Sequence, residues 1–147
     1  MSDAELAERL SRRRARMLPV LAVIFAWQQI VYFANYSENS THLLSHLKIA
    51  AWLLLSIVLL LALVTNGFWF RSPAVRNLLN DEGTRHNRGE GLRTGFIAAM
   101  AASIAVYGAS FLEPMDARLA VHIIMTIGIA AALLRFGILE RRAMRDA

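Results

Sequence analysis

Residues 49–70 read IAAWLLLSIVLLLALVTNGFWF, 22 consecutive positions without a charged side chain. A helix rises about 1.5 Å per residue, so a run of this length crosses the roughly 30 Å of a bilayer's hydrocarbon core. The run shows neither the two-residue alternation of a half-buried strand nor the polar stripe of an amphipathic helix. With leucine, valine and isoleucine on every face it has no side to offer water, and it specifies a membrane-crossing helix.

Working outward, three more runs are free of charge: Met17 to Ser37, Thr94 to Leu112 and Leu119 to Leu134. The first two hold 21 and 19 residues, enough to span. The last is shorter, but Arg135 is followed by Phe136-Gly137-Ile138-Leu139, so the helix continues to Leu139 while the arginine snorkels to the interface. The expected fold is all-α, a four-span transmembrane helical bundle made of two helical hairpins. One integral membrane domain covers 1–147, with spans at about 17–37, 48–70, 93–112 and 118–139 and a loop over 71–92. The first run is longer than the apolar core of a signal peptide and has no small-x-small cleavage site around Phe33-Ala34-Asn35, so it reads as a span. The two hairpins share no alignable repeat.

The hydrophobic share of 56% excludes a disordered chain, and the absence of cysteine excludes disulfide frameworks, thiolate metal sites and iron–sulfur clusters. Of the 16 basic residues all but Lys48 are arginine, a bias that with the abundant alanine and leucine points to a GC-rich bacterial genome. Their placement sets the orientation. Arg9, Arg12, Arg13, Arg14 and Arg16 precede the first span, five arginines from Arg71 to Arg93 lie between the second and third, and Arg135, Arg141, Arg142 and Arg145 close the chain. Only Lys48 and Arg118 fall on the other side. Cytoplasmic loops hold the excess of Lys and Arg, so both termini and the long loop are expected in the cytoplasm of a bacterial inner membrane. Tyr32, Tyr36, Trp52 and Tyr107 are expected in the outer interfacial belt, and Phe68-Trp69-Phe70 in the inner one.

In the loop, Ser72-Pro73 is a helix start, with Ala74, Val75, Leu78 and Leu79 on one face, and it predicts a short interfacial helix ending near Gly83. Asp81, Glu82, Thr84, Arg85 and Arg88 follow as a docking surface for a partner; the plainer reading is a solvated loop whose charges set topology. The pattern Asn80-Asp81-Glu82-x-Thr84-x-x-x-Arg88, with Gly95-Phe96 opening the third span, resembles the cytoplasmic loop of small four-span bacterial membrane proteins of unknown function. That resemblance implies two helical hairpins, an acidic-then-basic loop and a basic tail, and it implies no activity.

Gly91, Gly95, Ala98, Ala102, Ala105 and Ala109 recur at alternating spacings of four and three, a stripe that lets helix backbones approach closely in lipid. Span four offers matching room at Gly128, Ala131 and Ala132, so the stripe is either a seam within the monomer or a homodimer face. Spans one and two are expected to be bulkier and more lipid-exposed. Gln28 and Gln29 lie near the middle of the first span, where at least one amide must point inward as interhelical glue or as a substrate contact. His42 and His46 share a helix face, and His122 lies one turn inside span four. If the spans converge, these histidines could ligate haem or a divalent metal, with Glu38, Glu113 or Asp116 nearby; otherwise they are interfacial or carbonyl-bonded polar residues.

No Walker loop is present, Gly89-x-Gly91 follows no strand, and no carboxylate sits in mid-span as a proton-coupled exporter would need. The basic residues follow topology and face anionic headgroups, which leaves no case for nucleic-acid binding. The sequence therefore points to a non-enzymatic membrane protein without a cofactor, acting as an accessory or docking subunit, in a membrane complex or as a small homo-oligomer. The alternative is a small carrier or haem/metal redox protein using Gln28, Gln29 and the external histidines.

Overall fold

Asp81 has an extended backbone (φ −62°, ψ 169°), and its Oδ1 accepts the Thr84 backbone N–H at 2.8 Å. This is the geometry of an N-cap, which satisfies a donor that the first helical turn leaves open. The helix it starts runs from Glu82 to Ala109, beginning eleven residues before the span expected at 93–112. The second half of the expected loop 71–92 is thus three turns of helix, and Gly83 lies inside the first turn instead of ending an earlier helix. Charge density masked the helix, because a run of Arg, His, Asn and Glu reads as solvated whether it is coiled or helical.

The computed structural model describes residues 3–34, 42–65, 74, 79 and 81–146, with the side chains at 3, 4, 30–34 and 42–46 outside the description. The described residues include four long helices: α1 (Asp3–Ala34), α2 (His42–Thr65), α3 (Glu82–Ala109) and α4 (Ala117–Ala143). No strand occurs among the described residues. Most of the start expected for the interfacial helix and the aromatic end of span two, 66–70, lie outside the described residues. The helices α2 (over Leu47–Thr65), α3 and α4 are long and apolar enough to cross a membrane. Helix α1 takes in the arginine-rich tail as well as the apolar run after it.

Helix α4 is the common neighbour. It packs extensively against α3, then against α1, and more lightly against α2. One face of α4 carries His122, Thr126, Ile129, Leu133, Phe136 and Glu140, all buried. Ala22 and Phe25 of α1 and Trp52, Leu59 and Leu63 of α2 meet it in the core. The other faces are exposed: α1 turns Val20, Val23, Ile24 and Trp27 outward, and α2 turns Leu53, Leu54, Ile57, Val58, Leu61 and Val64 outward. Trp52, expected in the interfacial belt, is buried at 6% exposure, because it is the side chain with which the upper part of α2 reaches α4.

The α3–α4 seam is antiparallel and built on missing side chains. A Cβ on Gly95 would lie 2.7 Å from both Ala132 Cβ and the Gly128 carbonyl oxygen; on Gly91 it would meet Phe136 Cβ at 2.9 Å. A Cβ on Gly128 would stand 3.0 Å from Ala99 Cβ. The line of closest approach therefore runs Gly91, Gly95, Ala99, with Ala102 buried beyond it. Ala98 is only half-buried, and Ala105 and Ala109 are exposed, because the helix rotates away from α4 toward its end.

Gly89 has open space around its Cβ position. Gly89→Ala is expected to stabilise the detergent-solubilised protein by up to ~1 kcal/mol through helix propensity, whereas Gly95→Ala should lose about 1–3 kcal/mol to overpacking. Thermal unfolding followed by circular dichroism reads both, and equal effects would remove the seam as the reason for Gly95.

Candidate functional site

Two groups of buried polar side chains stand about 22 Å apart along α1, at Arg14 and at Gln29. The first lies at the arginine-rich end. Arg14, 9% exposed, pairs through Nη2 with Glu140 Oε2 of α4, itself 3% exposed. The same Nη2 donates to Thr84 Oγ1 at 3.1 Å, Nη1 donates to the Leu79 carbonyl at 3.4 Å, and the guanidinium carbon lies 5.6 Å from the Phe136 ring centre. Asn87 Nδ2 donates to the other carboxylate oxygen, Glu140 Oε1, at 3.2 Å. Leu79 is buried in turn against Ala7, beside Leu6 and Leu10. One ion pair thus ties α1, α3, α4 and the residue ahead of α3 into a single knot, and its several hydrogen bonds meet the condition on which a buried pair is tolerated.

Beside the knot, Pro19 sits inside α1 and has no N–H to give the Ala15 carbonyl four residues back. Arg141 of α4 supplies the donor: its Nε reaches the Ala15 oxygen at 3.0 Å, and its Nη2 reaches the Arg16 oxygen at 3.4 Å. The proline ring needs room, and Gly137 provides it, since a Cβ there would be 2.7 Å from Pro19 Cγ and Cδ. A proline in one helix, a glycine in the next and an arginine one turn further on form one fitted contact.

The second group lies within the apolar part of the bundle. His122 Nε2 hydrogen-bonds to Gln29 Oε1, and Trp52 stacks on the imidazole with ring centres 3.9 Å apart and planes inclined by 24°. One turn along their helices, Ser56 and Thr126 are also buried. Ser56 Oγ, Thr126 Oγ1 and Trp52 Nε1 have no hydrogen-bond partner among the described residues. Three helices therefore bring five polar side chains within two adjacent turns of one another. Gln28 is exposed and turned away from it.

Of the expected docking residues, Asp81 is engaged as a cap and Thr84 is buried under Arg14. Glu82 and Arg85 are exposed, and Arg88 is half-buried. The side chains of His42 and His46 lie outside the described residues, and no three His, Asp or Glu groups gather at metal-binding distance among those described. Sequence reasoning missed Arg14, Glu140, Asn87 and Arg141. Two signals pointed to them: a proline within a span needs a replacement donor, and Glu140 is an acid at the edge of an apolar run, between Arg135 and Arg141.

Removing one partner of the buried pair leaves an uncompensated charge, so Glu140→Ala is expected to cost about 3–5 kcal/mol in unfolding free energy. Arg14→Met combined with Glu140→Leu should recover most of that loss, and a double variant as unstable as the single would show that the pair is not the source. No protein-family model, curated protein or solved structure matches this chain.

Proposed function

We propose that the chain is a four-span protein of the bacterial inner membrane, both termini and the α2–α3 connection in the cytoplasm, serving as a non-enzymatic docking subunit. The observation that carries this reading is the knot of Arg14, Glu140, Thr84 and Asn87. It makes a firm platform of three helix ends on the side where the arginines gather, and it holds Glu82, Arg85 and Arg88 at the start of α3. The excess of arginine on that side supports the orientation, because cytoplasmic segments hold the Lys and Arg excess. Anionic headgroups meet the same face, each well-placed basic residue contributing about 1 kcal/mol. The partner is a membrane-complex subunit or a second copy of the chain, received at Glu82, Arg85 and Arg88.

A second reading is favoured by one observation, the three unpartnered buried polar atoms around His122 and Gln29. Groups left unsatisfied in an apolar interior carry a desolvation cost, and a polar solute would relieve it. On that reading the protein is a small carrier or a haem or metal redox protein.

The chain has no cysteine, so single cysteines report topology directly. In intact cells an impermeant maleimide is expected to label Ser40→Cys and Glu113→Cys, and to label Ser2→Cys and Asp146→Cys only after lysis; the reverse pattern would overturn the orientation. A photo-crosslinker at Glu82 should give a discrete adduct that Arg85→Glu with Arg88→Glu abolishes. Adducts unaffected by that double change would remove this face as the docking surface. For the second reading, protein purified from cells supplied with iron and haem precursor should show visible absorbance or stoichiometric metal that His122→Leu removes. A colourless, metal-free sample would discard its redox form.

A further inference from the structure

A groove of about 430 Å³ opens between the arginine-rich ends of α1 and α4. Arg12 and Arg16 line it from α1, and Arg141, Arg142 and Arg145 line it from α4 and the residues just after. Among the described residues no carboxylate lines it. Glu8 pairs with Arg12 at 2.5 Å, but both side chains are more than three-fifths exposed, so screening by water leaves most of the positive charge in place. Arg141 is held over the groove by the Ala15 and Arg16 carbonyls and pairs with no acid among the described residues. Five like charges around one hollow repel one another, and that repulsion is relieved by an anion.

The rest of the lining is apolar. Ile138, 41% exposed, and Met144 border the guanidinium groups, so the hollow offers a charged half and a greasy half. Its place along the chain is equally specific: Arg16 immediately precedes the uncharged run that begins at Met17, which puts the groove where hydrocarbon gives way to headgroups. The volume is within the range of small-ligand sites.

We propose that this groove binds the phosphate head of an anionic phospholipid, with the start of an acyl chain along Ile138 and Met144. Guanidinium groups match phosphate oxygens in two-pronged geometry, and five of them suit a head with two phosphates better than a head with one. The site rests on the membrane reading above and belongs to the cytoplasmic leaflet in the orientation given there.

Full-length protein in neutral detergent is titrated with diphosphatidylglycerol, phosphatidylglycerol or phosphatidylcholine, and bound lipid is read by native mass spectrometry. One diphosphatidylglycerol per chain is expected, with weaker retention of phosphatidylglycerol and none of phosphatidylcholine. Arg142→Gln with Arg145→Gln should weaken binding about tenfold or more. Arg13→Gln with Arg93→Gln removes the same charge from exposed positions outside the groove and should leave binding unchanged. Equal losses in the two double variants, retention of phosphatidylcholine, or displacement by inorganic phosphate alone would overturn the proposal. Reversed cysteine labelling with groove-dependent lipid binding intact would support this site while removing the orientation, so the two failures are distinguishable.

Discussion

Burying a carboxylate as deeply as that of Glu140 is costly without a counter-charge, and among the described residues Arg14 is the one that pairs with it. Meeting that need fixes the register of α1 against α4. Once Arg14 faces Glu140, the positions that follow on the same side of α1, Ala22, Phe25 and Gln29, are delivered to the α4 core and to His122. The Thr84 and Asn87 contacts extend the constraint to α3, and the Gly95–Ala132 approach completes it. Lipid provides no hydrophobic drive between helices, so association depends on close packing and on polar groups that have nowhere else to go. Both are concentrated on α4.

The Pro19 contact shows how one sequence choice dictates two others. Proline removes an intrahelical donor and adds a ring; Arg141 restores the first and Gly137 accommodates the second. The same arginine is thereby presented at the groove between the arginine-rich ends of α1 and α4. A structural repair and a charged surface are made from one side chain, so the two cannot vary independently.

The apolar runs were legible because absence of charge over about 20 residues has one common physical cause. The small-residue seam was legible in outline, since Gly91, Gly95 and Gly128 are where the backbones meet, but its continuation was not, because helix crossing carries Ala105 and Ala109 away from α4. The inward placement of Gln29 followed from the cost of an unbonded amide in hydrocarbon; that its mate is His122, 93 residues on, did not. Charged positions were hardest to read. Arg14 is one of five arginines between positions 9 and 16 and differs from them only in the face of α1 it occupies, which depends on a partner helix at the other end of the chain. Asp81 and Thr84 looked like a partner surface because capping and docking draw on the same polar residues.

Glu140 lies 126 residues after Arg14, and Arg141 an equal distance after Ala15. During synthesis α1 is therefore made long before either mate exists, and the bonds described for Arg14, Ala15 and Gln29 all reach residues that come after α2. The described partners of the Gln29 amide and of the proline-freed Ala15 carbonyl both lie on α4, whereas Arg14 has the Leu79 carbonyl and Thr84 to meet before Glu140 is made. The packing of α1 is thus completed only once α4 has been made, and a chain interrupted before α4 leaves the Gln29 amide and the Ala15 carbonyl without their α4 partners.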